Sequence, residues 1–173
     1  MIYNKADQLV MSRDANLKAQ GKWLVTKYDQ FGRVVFTVIT NNTGTRQSLQ
    51  TTITGAAYTF EIRSANSFTV SAMPIYYTNR ALPGSLAQVS SINYYDSYPA
   101  GYTFNPASPT DILGEPTLNA IPSAEGLSTK SLPVLSLVKN IEDDSWSKDY
   151  TYYDKKGRVI GNHSINHLRL YPY

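Results

Sequence analysis

Two histidines, three adjacent acids and a set of paired tyrosines are the residues of this 173-residue chain whose types and spacing invite a chemical reading. His163 and His167 stand four apart, a spacing that brings two imidazoles onto one face of a helix, as in a zinc site. The catalytic zinc pattern requires Glu directly after the first His, and Ser164 stands there instead. Gly161 to Ile165 moreover reads as strand, which sets the two rings on one side but about 13 Å apart. No metal is expected. Glu142, Asp143 and Asp144 lack the alternating ligands and central glycine of a calcium loop and read as a solvated turn. Thirteen acids leave a glycosidase-like carboxylate pair open, but nothing singles one out. Without a nucleophile elbow, a phosphate-binding glycine loop or a dinucleotide fingerprint, the expectation is a chain with no catalytic residues and no cofactor.

The tyrosines pair as Tyr76-Tyr77, Tyr94-Tyr95 and Tyr152-Tyr153. On a strand, one member of each pair faces in and the other out. Outward rings with hydroxyls suit stacking on a sugar or against another protein. This marks Tyr76, Tyr77, Tyr94, Tyr95, Trp146 and Tyr152 as candidate binding residues, although the same residue types also fill β cores by packing alone.

The elements that must position these residues announce themselves by repetition. Tyr28-Asp29-Gln30-Phe31-Gly32-Arg33-Val34-Val35 and Tyr153-Asp154-Lys155-Lys156-Gly157-Arg158-Val159-Ile160 share the pattern Tyr-Asp-x-x-Gly-Arg-Val-aliphatic. Each copy lies between strand-like runs, with Asp opening a turn and Gly supplying the positive φ that closes it: a hairpin with a type I turn, a left-handed residue and a bulge. Gly32→Val and Gly157→Val are expected to destabilise. Arg33 and Arg158 are expected to pair with a neighbouring repeat through an aromatic ring or a carboxylate, Asp29 and Asp154 included. A degenerate copy begins at Tyr3, with Asn4 for the turn Asp, Asp7 for Gly and Gln8 for Arg; Asn and Asp tolerate the left-handed region best among non-glycine residues. A fourth, Ile92 to Asp96, keeps the strand and the Tyr-Asp pair before it dissolves.

Three segments follow: hairpins over 1–40, an insertion over 41–130 and a further hairpin over 131–173. In the insertion Thr45 can cap a short helix over Arg46 to Thr52. Thr59 to Val70 reads as strands broken at Ser64-Ala65-Asn66, and Met73 to Thr78 as one broken by Pro74. From Tyr98 to Leu127, five prolines and three glycines make regular structure sparse, in a loop laid over the framework or flexible. Leu132 to Val138 resumes a strand.

Composition agrees with a β-rich chain. It has 14 Tyr and only 17% charged residues, too few for a surface of salt-bridged helices, while 42% hydrophobic residues suffice for a core and argue against disorder. The net charge of +3 is spread over scattered Lys and Arg, not the clustered basic face a nucleic acid needs. Cysteine is absent, so disulfides and thiolate metal sites are excluded. The N-terminus turns polar at once and no run approaches the roughly 20 apolar residues of a membrane helix. No membrane insertion is expected, and an export signal would lie outside this chain.

The Tyr-Asp-x-x-Gly-Arg-Val pattern resembles the YD repeat of the RHS family, large exported bacterial proteins related to teneurins. Gly21-Lys22-Trp23, Asn93-Tyr94-Tyr95-Asp96 and Ser128-Thr129-Lys130 extend the likeness to RHS-like surface proteins of Bacteroidetes-type bacteria. The resemblance implies that the hairpins build part of a spiralling β-sheet ribbon or shell; with the residue pattern above, the expected fold is mostly β, with a long Pro/Gly-rich loop and at most one short helix. It implies a non-catalytic, exported scaffold at the cell surface, whose partners are the rest of the parent polypeptide, export machinery, toxin cargo or surface glycans. An adhesive module binding glycans or protein through exposed tyrosines is the alternative, and a carboxylate-dependent hydrolase the third. The two good copies lie 125 residues apart, a departure from compact arrays. The family's autoproteolytic core and toxin tip have no counterpart here.

Overall fold

The computed structural model describes residues 1–166. The chain is mostly β, with antiparallel sheet and two short helices among the described residues, and divides into two compact units, Met1–Ile92 and Asn93–Tyr173.

The first unit contains β1 (Ile2–Tyr3), β2 (Leu9–Ser12), α1 (Ala15–Ala19), β3 (Lys22–Tyr28), β4 (Val34–Asn41), α2 (Arg46–Thr54), β5 (Arg63–Val70), β6 (Met73–Tyr77) and most of β7 (Gln88–Tyr95). Its sheet runs β1-β2-β3-β4-β7, all neighbours antiparallel. The two-residue side-chain period puts Trp23, Val25 and Lys27 on the buried face of β3. Val38, Ile75, Val89 and Ile92 complete a core with no exposed surface. The β5–β6 hairpin turns at Ser71 and Ala72, both at positive φ, the backbone of the tight turn that matches strand twist. Its Phe68 and Tyr77 set their rings 6.0 and 6.2 Å from that of Phe36.

Thr45 caps α2, its hydroxyl accepting from the Ser48 N–H, and Ile53 is the buried anchor of that helix. The second helix exceeds the expected single one. Asp14 caps α1 by accepting from the Leu17 N–H at 2.8 Å, but its five residues bury nothing, so no apolar period marks it in the sequence. β5 runs from Arg63 to Val70, but its pairing with β6 is interrupted where the sequence places a break: the register shifts between Arg63 and Phe68, and there the Ser64 hydroxyl bridges the Asn66 N–H and C=O. β6 runs through Pro74, which it tolerates because, among the described residues, it pairs with β5 alone.

The second unit holds the end of β7, then β8 (Asp111–Ile112), β9 (Glu115–Pro116), β10 (Pro133–Lys139), β11 (Trp146–Tyr153) and β12 (Val159–Ile165), with β10-β11-β12 antiparallel. Aromatic residues dominate its core. Tyr94 and Tyr102 join hydroxyls at 2.8 Å, Tyr102 stacks on Phe104, and Tyr98 and Tyr150 pack with their rings nearly perpendicular. The proline-rich stretch contains the small β8–β9 hairpin and is tied down through its backbone. Leu118 N–H donates to the Tyr153 carbonyl at 2.8 Å, and Asp96 exchanges bonds with Thr129, Ser131 and Leu132. Asp96 thus anchors the returning loop and does not open a fourth repeat hairpin.

Candidate functional site

The repeated motif folds three times into the same object. Asp29 accepts from the Phe31 and Arg33 N–H groups through Oδ1, at 2.9 and 3.0 Å, and its own N–H donates to the Arg33 carbonyl. Gly32, at φ 80°, donates its N–H back to the Asp29 carbonyl. Asp154 repeats every one of these bonds with Lys156, Gly157 and Arg158. Asn4 repeats them with Ala6, Asp7 and Gln8, and Asp7 takes the left-handed place at φ 58°. The register shifts at the same point in each hairpin, between Ile2 and Tyr3, Lys27 and Tyr28, and Tyr152 and Tyr153. The bulge and the left-handed residue are one device.

Each arginine pairs with the aspartate of its own turn. Arg33 Nε and Arg158 Nε both lie 2.6 Å from Oδ2 of the turn aspartate, and Arg33 also covers the Phe31 ring. In the first hairpin an uncharged pair replaces the ion pair: Asn4 Nδ2 donates to Gln8 Oε1 at 2.8 Å. The Arg158 N–H, followed by its guanidinium, holds the Asp154 carboxyl below its ordinary range despite burial. The tyrosines do reach across strands. Tyr28 hydroxyl donates to the carbonyl of Leu9, the first residue of β2, and Tyr153 hydroxyl to that of Pro133, the first residue of β10. Burial raises the pKa of both phenols, keeping them neutral donors.

The paired tyrosines do not form an exposed stripe. Tyr77, Tyr94 and Tyr152 are buried, while Tyr76, Tyr95 and Trp146 are half-buried. The bulge before Tyr153 breaks the strict alternation, so both Tyr152 and Tyr153 turn inward. His163 is exposed on β12 with its ring against Tyr150, and His167 lies outside the described residues. Among those residues no cluster of His, Cys, Asp or Glu could hold a metal. Asp143 and Asp144 are exposed: Asp143 closes the turn by accepting from Asn140 and Ser145, and Asp144 pairs with Lys139. No helix among the described residues is long and apolar enough to cross a membrane.

Two sites escaped the sequence. In the first unit Lys27 and Glu61 form a buried ion pair, 1% and 0% exposed, with Nζ 3.0 Å from Oε1. Lys27 Nζ also donates to Asn79 Oδ1 at 3.3 Å and to the Ala81 carbonyl. Glu61 is saturated by the Thr78 hydroxyl and the Arg80 and Ala81 N–H groups. Desolvation pushes the Lys27 ammonium below its usual range, and the Glu61 charge opposes it. A lysine between polar neighbours in a strand ordinarily reads as outward; only its alternation with Trp23 and Val25 hinted otherwise.

In the second unit the proline-rich stretch roofs a cavity of about 150 Å³ against β11. Its wall has no charged side chain: Ser97, Tyr98, Ser108, Asn119, Thr129, Thr151 and Tyr152 supply hydroxyls, an amide and ring faces, while Leu118 and Val134 supply the apolar part. Two of the lining residues, Tyr98 and Ser108, join hydroxyls at 2.8 Å. Comparison with family models, with curated proteins and with solved structures gives no match for this chain.

Proposed function

We propose that this chain is a non-catalytic scaffold segment of a larger exported protein of the RHS/YD-repeat kind. The observation that carries the reading is the threefold recurrence of one turn, one bulge and one hydrogen-bond set at Asn4, Asp29 and Asp154. Repeat units of this sort add hairpins side by side, each covering the apolar face its neighbour leaves open. The tyrosine-to-carbonyl clamp at Tyr28 and Tyr153 is the tie between a hairpin and the strand before it. Protease treatment of intact cells making the parent polypeptide is the direct test. Loss of peptides from this segment supports an exported scaffold, and their persistence until the cells are lysed refutes it.

A second reading, glycan binding, is favoured by the uncharged cavity in the second unit. Hydroxyl, amide and phenol groups beside apolar ring faces suit a neutral sugar, whose two faces differ in the same way. This reading moves the binding residues to Tyr98, Thr151 and Tyr152 and away from Tyr76, Tyr77, Tyr94, Tyr95 and Trp146. A glycan array probed with the chain and with a Thr151→Trp variant that fills the cavity tests it; binding that survives the substitution rules the cavity out.

A further inference from the structure

In the first unit the Lys27 amine lies within hydrogen-bond reach of both the Glu61 carboxylate and the Asn79 carboxamide, and the scaffold reading uses none of them. We propose that Lys27 and Asn79 join in an intramolecular amide bond, with Glu61 as the proton carrier.

The geometry supplies the parts such a reaction needs. Lys27 Nζ is 3.3 Å from Asn79 Oδ1, and the carbon to be attacked lies one carbonyl bond, about 1.2 Å, from that oxygen. This is the separation at which reacting groups held in place gain most from proximity. Asn79 cannot turn its carbonyl away freely, because its Nδ2 donates to the Gly84 carbonyl at 2.8 Å. Glu61 Oε1 sits 3.0 Å from Nζ, within reach of the proton it must take. Glu61 is itself locked by the Thr78 hydroxyl and two backbone N–H groups. Burial of Lys27 and Glu61, at 1% and 0% exposure, shields the amine and its proton acceptor from bulk water, while Asn79 is half-buried. The same burial disfavours the ammonium, so the neutral amine is within reach. Lys27, Ala81 and Leu82 also line a cavity of about 10 Å³, close to the space of one water-sized molecule.

The step balances without a co-reactant. Lys27 Nζ gives a proton to Glu61 Oε1, and the freed amine attacks Asn79 Cγ to form the Nζ–Cγ bond. The Cγ–Nδ2 bond then breaks, with Nδ2 receiving the proton from Glu61 and leaving as ammonia; the proton surrendered by the acylated Nζ departs with it as ammonium. Nothing is oxidised or reduced. The product is a tether between residues 52 apart in sequence, linking β3 to the segment after β6.

Intact-mass measurement of the purified full chain decides the matter. The expected mass is that of the sequence less one ammonia, with a digest yielding Lys27 and Asn79 peptides joined to each other. Lys27→Arg, Asn79→Ala and Glu61→Gln are each expected at their own full sequence mass. This readout does not require the variants to fold. A wild-type chain at its full sequence mass overturns the proposal. So does loss of water with Lys27 joined to Glu61, since that makes the carboxyl the acylating group. Loss of ammonia without a joined peptide indicates succinimide formation at an asparagine and also overturns it, as does ammonia loss retained in Asn79→Ala.

Discussion

Replacing Asp29 by Asn tests whether the hairpins are chemically interchangeable copies of one unit. In Asp29→Asn the amide oxygen can keep both backbone bonds now made by Oδ1, to Phe31 and Arg33. The amide nitrogen, however, replaces Oδ2, which accepts from Arg33 Nε at 2.6 Å. Two donors then face one another. A hydrogen bond to a charged group contributes about 1.5–3 kcal/mol, but Arg33 keeps 21% of its side chain in water. Solvent screening brings the expected loss to about 1–2 kcal/mol. The first hairpin contains the remedy, since Asn4 donates to Gln8 in the place of the ion pair. The double variant Asp29→Asn, Arg33→Gln should therefore recover about 1 kcal/mol of that loss, a coupling above the few tenths expected of independent sites. Urea unfolding followed by the fluorescence of buried Trp23 measures all four corners of the cycle. Additive single and double variants would sink the equivalence of the copies.

Gly32→Val and Gly157→Val force a β-branched residue to φ 80° and 74° and should each cost about 1–3 kcal/mol, whereas Asp7→Gly removes the same strain and should stabilise by up to about 1 kcal/mol; unchanged melting temperatures contradict the turn geometry. Tyr153→Phe and Tyr28→Phe each delete a cross-strand donor and should cost about 1 kcal/mol in denaturant unfolding, with no loss pointing to a clamp that contributes nothing. Because the folded Asp154 carboxyl lies below its unfolded value of 3.8, its contribution is fully present above that value and fades as pH falls through the folded one. Wild-type stability should therefore drop in acid more steeply than that of Asp154→Asn, and an equal or shallower acid slope in the wild type contradicts this.

Strict two-residue alternation and turn chemistry are local, which is why the hairpins could be read residue by residue. Asp29-x-x-Gly32 and Asp154-x-x-Gly157 carry their turns in their own side chains and backbone, and even the degenerate Asn4-x-x-Asp7 was legible because Asn and Asp are the substitutes that positive φ allows. Thr45 marked α2 for the same reason. Asp29 and Asp154 were legible among the partners of Arg33 and Arg158, beside an aromatic ring, but the pairing was expected with a neighbouring repeat. Four-residue separation around a tight turn brings the guanidinium back to its own aspartate, a matter of three-dimensional geometry.

Composition and local pattern thus determined a β-rich chain built on a recurring Asx-turn hairpin. Tertiary structure alone decided what lies opposite what. Lys27 becomes a buried group because β3 presents it with Trp23 and Val25, and because Glu61 and Asn79, distant in sequence, arrive to satisfy it. Tyr152 loses its place on the surface to a bulge one residue away, and the uncharged cavity exists only because backbone bonds fold the proline-rich stretch onto β11. Short-range bonds follow from neighbours in the chain; burial and mutual contact follow from which long-range pairings close, and those are set by the packing of the whole unit.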